Sequence, residues 1–118
     1  MSGEFDHVIG GLHARGISAY FRAPWTIVVS KQQGPPLPQP GNSFSICKVA
    51  ERWYVCTWAP HYYRVPTELS VLEIAAAFVD VGTRAQFVID DDLIQRFSLE
   101  HVDHDEFERL WDANLPAL

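Results

Sequence analysis

The sequence predicts an α+β domain: an N-terminal helix, an antiparallel sheet of three to five strands, a buried helix, then a short two-helix acidic tail. Three observations carry that expectation. Apolar residues near the start recur at helical spacing. The middle of the chain is β-branched and aromatic between turn residues. The final stretch alternates helix-capping residues with carboxylates. At 118 residues the chain suits a single domain spanning 1–118. A composition 47% hydrophobic and only 20% charged excludes a disordered chain.

Each element follows in order. Phe5, Val8, Ile9 and Leu12 stand at i, i+3, i+4 and i+7, one stripe of a helix that Gly16 can close. Gly10 and Gly11 weaken that helix by roughly 1 kcal/mol each against Ala. Strands are expected over Ile17 to Phe21 and Trp25 to Ser30, with Pro24 between them. Residues 32–42 hold Gly34, Pro35, Pro36, Pro38, Pro40 and Gly41, which predicts a loop with polyproline II character. Pro35 and Pro38 make a PxxP, yet no flanking arginine fixes an orientation, so a surface connector is expected.

Phe44 to Val49 and Trp53 to Trp58 read as a hairpin around Ala50, Glu51 and Arg52. Both of its faces are apolar, Trp53 and Val55 on one, Tyr54, Cys56 and Trp58 on the other. Such strands are usually central and covered on both sides. Tyr62 to Val65 adds a strand after Pro60. Ser70 and Glu73 then form a capping box, with Thr67 a rival N-cap one turn earlier. The run Ile74 to Val79 predicts a buried helix ending near Gly82. Asp90 can cap a short helix holding Leu93, Ile94 and Phe97. Asp103 and Glu106 form a second capping box before a helix with Phe107, Leu110 and Trp111 on one face, which Pro116 stops.

Charge is informative once divided. Residues 1–84 carry seven basic and six acidic side chains, whereas residues 85–118 carry two arginines against nine acids. The whole net charge of −6 therefore arises in the final segment. Nucleic-acid binding needs clustered Lys and Arg, and no such cluster exists, so no nucleic-acid partner is expected. No apolar run is long enough for a membrane span, so no membrane partner is expected either. The first residues lack a basic and apolar leader, which predicts no signal peptide and a cytoplasmic location.

Inventory argues against catalysis. GxSxG, SxxK, HExxH, a Walker loop and GxGxxG are all absent, so no catalytic residue, cofactor or metal is assigned. A hairpin loop of Glu51 and Arg52 would set Cys47 opposite Cys56, but Glu-Arg is a poor two-residue turn, and a three-residue loop separates the pair. Buried free thiols are the expectation. His101 and His104 would share a helical face, but Asp103 as N-cap leaves His101 outside the helix. His7 and His13 are expected to face solvent.

Two function classes remain. The first is a non-enzymatic protein-interaction module whose acidic C-terminal region, with Asp105, Glu106 and Glu108, faces a basic protein surface and uses Trp111 as anchor. The alternative is a small-molecule or enzymatic pocket lined by His61, Tyr63 and Arg64, with Tyr62 and Trp58 near them. In size, charge and layout the chain is similar to small acidic bacterial interaction proteins, toxin-neutralising immunity proteins among them. That likeness covers no specific residues and transfers no site.

Overall fold

A computed structural model describes residues 3–22, 25–30, 43–57, 61–80 and 89–114. In chain order these form α1 (Gly3–Ala14), β1 (Ser18–Arg22), β2 (Thr26–Ser30), β3 (Ser43–Val49), β4 (Arg52–Cys56), β5 (Tyr62–Val65), α2 (Glu68–Asp80), α3 (Asp91–Phe97), β6 (Glu100–Val102) and α4 (His104–Asn114). The fold is α+β with an antiparallel sheet, as expected, but the sheet has six strands rather than three to five. Strands lie side by side in sequence order, each antiparallel to the next. The additional strand is β6, inside the segment expected to be two helices. The PxxP stretch, Trp58, Gly82 and Pro116 lie outside the described residues.

Local chemistry sets the ends of the elements. α1 closes in a Schellman arrangement, with the Gly16 N–H donating to His13 carbonyl at 2.9 Å and the Ile17 N–H to Leu12 carbonyl at 3.0 Å. Gly16 takes φ +75°, which an L side chain resists. Thr67, not Ser70, caps α2: its Oγ1 accepts the Ser70 N–H at 3.1 Å, which places the helix start one turn before the capping box. Asp90 caps α3 through the Leu93 N–H at 2.9 Å, as the sequence predicts.

The sheet has helices on both faces. Strand alternation sends Ile27, Val29, Ile46, Val55 and Val65 to one side, where α1, α2 and α3 bury Phe5, Val8, Leu12, Val71, Ile74, Phe78 and Phe97 against them. Cys47, Val49 and Tyr54 go to the other side, where Phe107 of α4 completes a smaller cluster with Val102. The hairpin of β3 and β4 is therefore covered on both faces, as its two apolar faces predict. Edge-to-face rings tie the larger cluster together, Phe44 on Phe78 at 4.8 Å and Phe5 on Trp53 at 5.7 Å.

This arrangement divides the acidic segment. α3 packs on one face and α4 on the other, with β6 turning the chain around the sheet edge between them. No helix among the described residues is long and apolar enough to cross a membrane.

Candidate functional site

All nine carboxylates of residues 85–118 belong to exposed residues: Asp90, Asp91, Asp92, Glu100, Asp103, Asp105, Glu106, Glu108 and Asp112. Internal cations neutralise some of them. Arg96 donates to Asp92 at 2.6 Å, and Arg64 Nη2 donates to both carboxylate oxygens of Glu100, which holds that carboxyl below its ordinary value. What remains is densest on α4, where Asp105, Glu106, Glu108 and Asp112 accompany a single arginine, Arg109.

The helix is amphipathic, and its period decides which acids stand together. Phe107 turns inward, stacking on Tyr62 at 4.2 Å and meeting Tyr54 edge-on at 5.3 Å. Trp111 follows one turn later, 6.0 Å from Phe107 and edge-to-face with Trp25 at 5.7 Å. It is half-buried and so combines packing with an available edge. Glu108, Trp111 and Asp112 flank one side of α4. Glu106 lies on the other, close enough to Arg64 for their charges to interact. Asp105 occupies the outer face between them. Of the four residues expected to bind a partner, Glu108 has Asp105 on one side and Trp111 on the other at three-residue spacing, while Glu106 stands around the helix. His104, at the helix start, bridges the Tyr62 hydroxyl and the Glu108 carboxylate, at 3.1 Å each.

Beneath that flank lies a cleft of about 520 Å³ that the sequence did not disclose. Its floor is built by register. Ala50 and Glu51 form the β3–β4 turn with φ of 53° and 65°, which pairs Val49 with Arg52 and Cys47 with Tyr54. Cys56 then pairs with Ser45, so the thiols sit on a diagonal, not opposite each other. Their sulfurs are 3.8 Å apart, and both cysteines are free. Thr26, the partner of Cys47 on β2, brings its hydroxyl to 3.7 Å from the Cys47 sulfur. The hydrogen bond from Cys56 lowers the Cys47 thiol below its ordinary value, with a smaller push from Thr26, despite burial that acts the opposite way. Cys56 is raised well above its own, first because it must keep the donated proton, then by burial.

At the β5–β6 edge a different group gathers. Tyr63 is buried on the α1–α2 face, with His101 of β6 edge-on at 5.2 Å and His61 at 6.4 Å. His61 and His101 are 5.7 Å apart. Burial pushes the Tyr63 hydroxyl up, and the Asp91 charge adds to the effect. Arg64, next along β5, points to the opposite face beside Tyr54 and Glu100. Of the three residues expected around a pocket, His61 and Tyr63 come together and Arg64 turns away. The sequence missed His101 here because β6 was not read as a strand.

His101 and His104 leave β6 and α4 toward different neighbours, and no group of three His, Cys, Asp or Glu among the described residues could hold a metal ion. His7 reaches the Glu68 carboxylate and His13 the Ala19 carbonyl, each at 3.0 Å, and both residues are exposed. No family model, curated protein or solved structure matches this chain.

Proposed function

We propose that the chain is a non-enzymatic protein-interaction module that docks its anionic α4 surface on a basic protein partner, as an immunity-like protein would. The supporting observation is that every carboxylate of the final segment belongs to an exposed residue, while the rest of the chain is nearly neutral. A one-signed surface steers encounter and sets orientation. A half-buried tryptophan at its margin adds an anchor whose rotamer is already fixed by Trp25 and Phe107, so little side-chain entropy is lost on docking.

The test is capture from a lysate of the source cells by the immobilised chain, comparing wild type with the triple variant Asp105→Lys, Glu106→Lys, Glu108→Lys. Wild type is expected to retain basic proteins that the variant releases and that high salt elutes. Equal capture by both chains at low salt would contradict the proposal. Asp105 and Glu106 lie in the first turn of α4, where lysines oppose the helix dipole. Circular dichroism must therefore show the helix retained before lost capture is read as lost docking, and a neutral Asn/Gln/Gln variant should fall between the two. In a second reading, favoured by the gathered rings of His61, Tyr63 and His101, the β5–β6 edge binds a small molecule. A rise in melting temperature with a library of small metabolites that is lost on His61→Ala but kept in the triple variant would favour that reading.

A further inference from the structure

We infer that Cys47 and Cys56 are a reversible redox site, oxidised by small hydroperoxides to an intramolecular disulfide at the floor of the α4 cleft. The inference goes beyond docking and does not depend on it. Two thiols on adjacent strands share one face with sulfurs 3.8 Å apart, and both line a cleft that opens to solvent. Cys47 is almost fully buried and Cys56 half-buried, so only a small oxidant reaches them. The cross-strand row on which Cys47 lies continues through Thr26 to Arg22, which places a hydroxyl donor and then a cation along one side of it. Glu108 and Asp112 on the facing wall counter that cation, so the direct hydrogen bonds from Cys56 and Thr26 are the local stabilisers of a Cys47 thiolate.

The chemistry balances with the hydroperoxide as sole oxidant. The Cys47 thiolate attacks one peroxide oxygen; the O–O bond breaks, and the leaving oxygen takes a proton to become water or an alcohol. Cys47 is then a sulfenic acid. The Cys56 sulfur attacks the Cys47 sulfur, the S–O bond breaks, and hydroxide leaves with the Cys56 proton as water. The sulfur pair loses two electrons and the peroxide gains them. Two equivalents of a small thiol reverse the step by exchange.

Register sets the character of the bond. A diagonal pair has Cα atoms roughly 7–8 Å apart, whereas disulfides usually span about 4.4–6.8 Å. β3 and β4 must therefore draw together locally, and such a bond belongs to the labile, readily reduced kind.

The test treats the full chain with hydrogen peroxide, blocks remaining thiols with an alkylating agent and measures intact and peptide masses. Wild type is expected to lose two hydrogens, show a Cys47–Cys56 linked peptide, and recover both thiols in dithiothreitol. Cys56→Ser is expected to stop at a sulfenic acid on Cys47 that dimedone traps, and Cys47→Ser to give no such adduct. Two alkylatable thiols after peroxide treatment of wild type, or sulfinic acid without the linked peptide, would overturn the inference. The wild-type measurement decides even if a serine variant folds poorly.

Discussion

Ala50 and Glu51 show how much rests on two residues. Their left-handed conformations form the two-residue turn that sets the β3–β4 register, and the register sets the thiol diagonal. A non-glycine residue in that region costs roughly 1–2 kcal/mol, and Asn-Gly is the sequence such a turn prefers. Replacing Ala50-Glu51 with Asn-Gly should therefore stabilise the fold by about 1–2 kcal/mol. In urea unfolding the midpoint should rise at unchanged slope; a lower midpoint would mean that other contacts dictate the turn. This substitution also explains what could be read beforehand. The hairpin is legible from its flanking strands, but neither Ala nor Glu announces positive φ. The sequence favours a three-residue loop that separates the cysteines, whereas the two-residue Ala50-Glu51 turn sets them on a diagonal with their sulfurs in contact. Trp25, also at positive φ (56°), was equally unmarked, and it is the residue that braces Trp111.

Whole elements were more legible where one face is apolar over several turns. α1 and α4 follow their stripes, α2 holds the apolar run, and β5 matches its expected span. β6 was illegible because Glu100-His101-Val102 is three residues long with two polar positions. Only pairing to β5, Val102 with Tyr62 and Glu100 with Arg64, makes it a strand. Its shortness and charge suit an edge, where a long apolar strand would invite association. The two mid-helix glycines of α1 looked alike in sequence and differ in the fold. A Cβ on Gly10 would meet nothing within 4 Å, whereas one on Gly11 would come within 3.2 Å of both Leu72 methyl groups where α1 meets α2. Gly10→Ala should stabilise by about 0.5–1 kcal/mol from backbone entropy. Gly11→Ala should gain less or lose stability, since Leu72 must yield. Equal gains in thermal or urea unfolding would show that Leu72 leaves room for a methyl group on Gly11.

At the scale of the whole molecule, the charge asymmetry was the most legible property, because it is counted and not folded. Its distribution was not legible: α3 and α4 carry their acids to opposite faces, and only α4 combines them with an aromatic margin and a cleft. Docking through that surface implies steered association. Steering raises association rates by roughly 10–10³-fold and weakens as salt shortens the screening length. That length falls from about 30 Å at 0.01 M to about 8 Å at 0.15 M. The most direct measurement is the association rate constant of the wild-type chain with a captured basic partner across that salt range. A fall of about tenfold, with a dissociation rate that changes little, is the expected result. A rate indifferent to salt would contradict docking through the anionic face of α4.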